Sequence, residues 1–137
     1  MKKIVLISCV KSKLDHPAKA KDLYTSTLFR YNLEYARHLN PDAIYILSAK
    51  YGLLDLDQVI EPYEMTLNNM PEFDRKVWSM RVLAALRQKA DLKSDLFIFL
   101  AGEKYRHHLL PAMSHYEIPL EGLALGQQMQ ELKRRLS

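Results

Sequence analysis

The sequence predicts an α/β fold with a mostly parallel central sheet of about four strands, flanked by helices. Three observations lead to this prediction. Apolar runs in the chain are near-continuous rather than alternating, which is typical of strands covered on both faces. Segments with helical spacing lie between these runs, and polar turns follow three of them. Such alternation of strand and helix favours a layered fold with parallel strands.

The predicted strands are the four apolar runs of the chain: Ile4–Ser8, Ala43–Leu47, Leu96–Ala101 and Tyr116–Leu120. Between the second and third runs lies the least regular part of the sequence, Leu53–Pro71. A segment of this length without regular structure is unusual in a small domain. We therefore expect it to be a functional loop.

Three longer helices are predicted from their apolar stripes and end signals. Ser26 or Thr25 is expected to cap the first, and Pro71 suits the first turn of the second. The third ends in a run of basic residues, which favours the negative end of a helix. The stripes are, in order, Phe29, Leu33 and Ala36; Phe73, Val77, Met80 and Ala84; and Leu125, Met129, Leu132 and Leu136.

Composition limits the classes of protein to consider. The chain has 137 residues, of which 48% are hydrophobic, and we expect one α/β domain over residues 1–137. No run reaches the roughly 18 apolar residues of a membrane span, and polar residues follow the first apolar run too soon for a signal peptide. The single cysteine, Cys9, excludes an internal disulfide and fits a cytoplasmic location. A net charge of +4 is compatible with partners that carry phosphate.

Polar turns directly follow three predicted strands. Because the carboxyl ends of parallel strands meet at one edge of a sheet, these turns are expected to lie together and to bind a ligand. Hydroxyls, ammonium groups and phenols suit a phosphate, a nucleotide or a nucleic-acid strand. The alternative is that exposed turns simply favour such residues. The candidates for ligand binding are Ser8, Cys9, Lys11 and Lys13; Ser48, Tyr51 and Gly52; and Tyr105.

Further candidates lie near the first helix and in the irregular segment. Asp22, Tyr24 and Ser26 precede or begin the helix, where Asp22 or Ser26 can bind a ligand or simply cap it. Tyr24 can stack on a base or fill the core, and Tyr51 or Tyr63 can also stack on a base. Carboxylates near Tyr63 can act as a general base or only add solubility. The candidates for catalysis are Asp55, Glu61, Glu103 and Lys50.

Several other chemistries lack support in the sequence. Cys9 has nearby lysines that favour a thiolate, but a lone cysteine at a strand end is usually a small buried residue. The histidines show no metal-binding pattern, and adjacent His107 and His108 do not share a helical face. No phosphate-binding or dinucleotide-binding glycine motif is present. We expect neither a metal nor an organic cofactor.

The chain resembles a group of small bacterial and phage proteins with a domain of unknown function. The resemblance lies in four segments: SCVKSKLDHPAKAKDLYTSTLFR, ILSAKYGLLDLDQVIEPYEMTL, FLAGEKY and PLEGLALGQQMQELK. More distantly, LSAKYGLLDLDQVIEPYEM and FLAGEKY are similar to parts of the YaaA peroxide-stress family. The turns after the first two strands resemble a domain of archaeal enzymes that make 7-deazaguanine in tRNA.

These resemblances imply an α/β domain that works on nucleic acid or modified bases. The leading expectation is an enzyme of nucleic-acid or nucleotide chemistry, most concretely an N-glycosidase-like hydrolase. A non-catalytic module that binds DNA or RNA, and a sensor of a free nucleotide, are the alternatives. The sequence does not determine the oligomeric state.

Overall fold

A computed structural model describes residues 1–8 and 12–137 of the chain. Short 3₁₀ turns occur at Leu67–Asn69 and Leu110–Ala112. The helices and strands are, in order, β1 (Lys3–Ser8), β2 (Ala18–Lys19), α1 (Ala20–Leu23), α2 (Thr27–His38), β3 (Ala43–Ser48), β4 (Gly52–Asp55), β5 (Val59–Ile60), α3 (Glu72–Arg87), β6 (Leu96–Leu100), α4 (Glu103–Arg106), β7 (His115–Glu117) and α5 (Leu125–Leu136).

The central sheet has five strands in the order β4-β3-β1-β6-β7. Strands β3, β1, β6 and β7 run parallel, and β4 pairs antiparallel with β3 at the edge. Residues 4–7 of β1, in the middle of the sheet, are at most 1% exposed. Such complete burial requires the continuous apolar run seen in the sequence. The predicted α/β fold with a mostly parallel sheet is confirmed.

Helices α2 and α5 follow the predicted end signals and pack on each other. Ser26 caps α2, because its hydroxyl accepts the backbone N–H of Phe29 at 3.1 Å. Leu132 of α5 is fully buried, and Arg135 donates to the Tyr35 hydroxyl at 2.7 Å. A side-chain cap such as that of Ser26 stabilises a helix by about 1 kcal/mol.

Helix α3 begins just after Pro71, as expected, but its predicted stripe is on the wrong face. Phe73, Val77 and Met80 are 74%, 51% and 69% exposed. The buried face is instead formed by Trp78, Ser79, Val82, Leu83 and Leu86. Apolar residues lie around most of this helix, so spacing alone does not select the side that meets the sheet.

The segment Leu53–Pro71 is more regular than predicted. Strand β4 forms a hairpin with β3, and β5 pairs antiparallel with β2. Two further backbone bonds join Ala20 N–H to Gln58 O and Lys21 N–H to Leu56 O, at 2.8 and 2.9 Å. The last strand is also shorter and earlier than the predicted Tyr116–Leu120, since β7 covers His115–Glu117.

Within the two described ranges, none of the helices combines the length and the apolar composition that a membrane crossing requires.

Candidate functional site

The carboxyl ends of the central strands β1 and β6 lie side by side. The Ser8 hydroxyl, at the end of β1, accepts the backbone N–H of Gly102 at 3.3 Å. Gly102 immediately precedes the short helix α4. The turns that follow these two strands therefore start from one edge of the sheet, where ligands bind in open parallel sheets.

Hydrogen-bonded hydroxyl groups, which form a hydroxyl chain, connect the end of β3 with the segment after α1 and the segment after β5. Ser48 is fully buried, and its hydroxyl accepts the Tyr51 N–H at 3.0 Å and donates to the Tyr63 hydroxyl at 2.8 Å. The Tyr63 hydroxyl also bonds that of Tyr24, at 2.7 Å. Buried hydroxyls are normally satisfied in this way, because an unpaired one costs about 1–3 kcal/mol. The three side chains fix the positions of residues 24, 48 and 63 relative to one another.

Helix α3 holds the turn between β3 and β4 from the other side. The Trp78 indole donates to the Ser48 carbonyl at 2.8 Å, and Arg81 donates to the Lys50 carbonyl at 3.0 Å. Gly52 begins β4 with φ +77°, a conformation that glycine adopts without the steric strain of a Cβ atom. The fold thus determines this turn by packing and by backbone bonds.

A cavity of about 1140 Å³ opens at the carboxyl edge of the sheet. Five of the residues singled out in the sequence line it: Ser8, Lys13, Tyr63, Glu103 and Tyr105. They come from β1, from the segment after it, from the segment after β5, and from α4. The cavity is large enough for a nucleotide or a ligand of similar size.

Tyr105 fixes one wall of this cavity. Its hydroxyl lies 3.4 Å from both Thr66 Oγ1 and the backbone nitrogen of Leu67. Its ring meets the ring of Trp78 edge-on, with centroids 5.7 Å apart. Lys104 adds a bond from Nζ to the Asn68 carbonyl at 3.1 Å. Helix α4 therefore ties the 3₁₀ turn Leu67–Asn69 to the end of β6.

Other predicted residues support the site without lining the cavity. Ser48 and Tyr24 form the hydroxyl chain, and the Tyr51 ring packs edge-on against Tyr63 with centroids 5.7 Å apart. Gly52 shapes the hairpin turn, and Ser26 caps α2. These contacts account for each residue by packing or hydrogen bonding within the protein.

The remaining predicted residues do not line the cavity or are not described. Lys50 is exposed, with Nζ 5.3 Å from the Tyr51 ring centroid. Asp22, Asp55 and Glu61 are also exposed, and none of them lines the cavity. Of the four candidates for catalysis, Glu103 alone lines it. Cys9 and Lys11 lie outside the described residues.

Sequence reasoning missed Asn32, a residue of α2 that lines the cavity. Asn32 is 5% exposed, and its Oδ1 has no hydrogen-bond partner among the described residues. An orphaned buried acceptor is uncommon and needs an explanation such as a missing ligand. A signal was present in the sequence, because Asn32 lies beside Leu33 within the apolar stripe of α2.

The charges around the cavity are mixed. Lys13 and Arg106 line it together with Asp15, Glu64 and Glu103. Lys13 Nζ lies 4.7 Å from the Tyr63 ring centroid, a cation–π distance. A hydrogen bond from His16 holds the pKa of Asp15 below its usual value. Over the described residues, this balance of charges differs from the strongly basic groove that a nucleic-acid backbone requires.

No cluster of three or more histidine, cysteine or acidic side chains is placed to hold a metal ion in the described part of the chain.

Comparison with known proteins gives a family and no activity. No curated protein and no solved structure matches the chain. The sequence profile of a family of unknown function, DUF6884, matches residues 4–134. This match covers almost all of the 137 residues and includes every described side chain of the cavity. The chain therefore belongs to the family of unknown function DUF6884.

Proposed function

We propose that the protein hydrolyses the N-glycosidic bond of a nucleoside or nucleotide in the cavity at the carboxyl edge of the sheet. The observation that carries this proposal is the set of groups in that cavity. It brings together the carboxylates Glu64 and Glu103, the aromatic ring of Tyr63, and the buried amide oxygen of Asn32, which has no hydrogen-bond partner among the described residues. The distant similarity of two segments to the YaaA family, and of two turns to a 7-deazaguanine domain, supports a base as part of the substrate.

Each group has a role in this reaction. Water attacks C1′ of the sugar, a C–O bond forms and the C–N bond to the base breaks. Glu103 or Glu64 takes the proton of the water and stabilises the positive charge that develops on the sugar. The departing base nitrogen takes up a proton from solvent. No cofactor is needed to balance these steps.

Asn32 gives the cavity a means of recognising its ligand. Its Oδ1 accepts a hydrogen bond from an amino, imino or hydroxyl group of the base or sugar. A ligand lacking that donor leaves the buried oxygen unpaired, so it binds more weakly. Lys13 and Arg106 lie where they can attract a phosphate group of a nucleotide.

A free nucleoside or nucleotide fits these observations better than a polynucleotide. The cavity has a limited volume, and among the residues that the structure describes three acidic side chains line it against two basic ones. Binding of a nucleic-acid backbone depends on many basic contacts and the release of counterions. We therefore expect the substrate to be a free nucleoside or nucleotide rather than DNA or RNA.

The second candidate is a sensor that binds a nucleotide without hydrolysing it. Glu64 and Glu103 are both exposed to solvent. Catalytic carboxylates are generally shielded from water, which strengthens their electrostatic effect. The exposure of these two side chains is the observation that favours a sensor.

The test combines base release and binding on the same samples. Purified protein is incubated with nucleosides, nucleoside monophosphates, and single- and double-stranded oligonucleotides that include modified bases. Released bases are measured by mass spectrometry, and binding by thermal shift, since a ligand of the folded state raises Tm. The proposal predicts release of a base from at least one nucleoside or nucleotide.

Matched carboxylate variants separate the candidates for catalysis. Glu103→Gln or Glu64→Gln is expected to reduce turnover by about 10²–10⁴-fold while binding is kept. Glu61→Gln changes an exposed carboxylate outside the cavity and should leave turnover unchanged, as should Asp55→Asn and Lys50→Ala. Binding without release identifies the sensor. If the protein binds no nucleoside or nucleotide and releases no base from any of them, both functions are refuted.

A further inference from the structure

The face of α3 that points away from the sheet carries an exposed apolar stripe. Phe73, Val77 and Met80 are more than half exposed, and Ala84 is exposed as well. These four positions follow one another at intervals of four, three and four residues, so they form one continuous strip along the helix. Large apolar side chains are uncommon on a surface that is exposed only to water, and a continuous patch indicates a contact with another molecule.

The stripe is symmetric about its own centre. When the helix is reversed about the point between residues 78 and 79, Phe73 exchanges with Ala84 and Val77 exchanges with Met80. Two copies of α3 laid antiparallel would thus place the large Phe73 ring against the small Ala84, and Val77 against Met80. A two-fold interface has to be self-complementary in this way.

The charged residues beside the stripe show the same complementarity. Glu72 and Asp74 lie in the first turn of α3, whereas Arg81 and Arg87 lie in its second half, and all four are exposed. Reversal of one helix brings Glu72 near Arg87 of the second copy, and Asp74 near Arg81 of the second copy. In each pair the two residues lie on the same side of the apolar stripe, and they are offset by about two residues along the helix axis.

We propose that the exposed face of α3 binds α3 of a second copy of this chain, in an antiparallel two-fold dimer. The symmetry creates four ion pairs at the edges of one apolar strip. The unfavourable contacts are between the two Lys76 side chains and between the two Arg81 side chains, because residues 76 and 81 both lie near the two-fold axis. The four attractive pairs outnumber the two repulsive pairs, and a parallel arrangement would instead place like charges together.

The dimer is expected to be weak. One helix face buries less than the roughly 800 Å² per partner of a standard stable interface. We expect a dissociation constant on the order of 10 µM, because small interfaces bind weakly unless their contacts are unusually good. This proposal is independent of the function of the cavity.

The first test is sedimentation of the full chain over a range of concentrations. The wild-type protein should change from monomer to dimer between about 1 and 200 µM, as the expected dissociation constant requires. Val77→Asp should weaken the dimer at least tenfold, because it buries a carboxylate without a partner. Val59→Asp is the matched control, since Val59 is 65% exposed and lies on β5. It should leave the dimer unchanged.

A charge exchange tests the antiparallel arrangement itself. Glu72→Arg and Arg87→Glu should each weaken the dimer several-fold, and the double variant should restore it. These residues lie about 22 Å apart along one helix, so the double variant cannot restore a contact within one copy. Circular dichroism and thermal melts of each variant check that α3 remains folded.

Three results would overturn the proposal. They are a wild-type protein that is monomeric at 200 µM, a dimer that Val77→Asp leaves intact, and a double exchange that does not restore dimerisation. The first would leave the face available for a different protein, and the others would place the dimer contact elsewhere or in another orientation.

Discussion

Replacement of Tyr63 by phenylalanine tests the hydroxyl chain that supports the cavity. The substitution keeps the ring, and with it the edge-on contacts to Tyr51 and Tyr24 at centroid distances of 5.7 and 6.5 Å. Among the described residues it removes two hydrogen bonds, of 2.8 Å to Ser48 and 2.7 Å to Tyr24. The change in stability therefore reports the hydroxyl group rather than packing.

The expected magnitude follows from the number of bonds and their burial. A buried hydrogen bond contributes about 1 kcal/mol net, and partners left in the core add a desolvation cost. We expect Tyr63→Phe to lower the free energy of unfolding by about 2–3 kcal/mol. For a chain of this length the fall in Tm is about 7–10 °C.

The assay is urea unfolding followed by circular dichroism, together with a double-mutant cycle. Tyr116→Phe is the matched control, because Tyr116 is 46% exposed and its variant should change stability by less than about 0.5 kcal/mol. Ser48→Ala should also be destabilising, and its effect should couple to that of Tyr63→Phe by about 1 kcal/mol. Equal stabilities of Tyr63→Phe and Tyr116→Phe, or strictly additive effects in the cycle, would refute the reasoning.

Two further predictions concern the hairpin and the last helix. Gly52→Ala should lower the free energy of unfolding by about 1–2 kcal/mol, because φ is +77° and the new Cβ would lie 3.2 Å from Arg81 Nε. Gly126→Ala, in open space on α5, should raise the free energy of unfolding by about 0.5–1 kcal/mol. Equal effects of the two variants in urea unfolding would contradict this. Hydrogen bonds from Arg134 and Arg135 lower the pKa of Glu131 from 4.5 to about 2, so the ionised form stabilises the folded state. Its contribution should be complete above about pH 4.5 and lost as pH falls toward about 2. Across this pH window, the free energy of unfolding of Glu131→Gln should depend less steeply on pH than that of the wild-type protein. An equal pH dependence in the two proteins would contradict the prediction.

The sequence by itself determined the layered fold. The runs that became β1, β3 and β6 are apolar throughout, and a strand covered on both faces admits few alternatives to such a run. The end signals of α2 and α3 are equally local, because a cap such as Ser26 bonds an N–H only three residues away. Such features depend on neighbouring residues, so they can be seen without the tertiary structure.

Tertiary structure decided which side of α3 is buried. Both faces of this helix are apolar, and the sequence pattern favoured Phe73 and Val77 over Trp78 and Val82. Trp78 is buried because the edge of the sheet offers its indole N–H a carbonyl acceptor, that of Ser48, together with the ring of Tyr105. These partners lie about 30 residues away in the chain in each direction, so helical periodicity carries no information about them.

Tertiary structure also decided which residues line the cavity. Ser8 and Glu103 were predicted because they lie at or just beyond the carboxyl ends of strands, and the parallel sheet brings these ends together. Asn32 was missed, since a lone asparagine in a helix has many explanations until its surroundings are known. Lys50, on the turn after β3, and Glu61, in the segment after β5, were also predicted, but neither lines the cavity. Side-chain direction at a turn depends on the backbone path and on packing by distant residues, and those are set only when the whole chain folds.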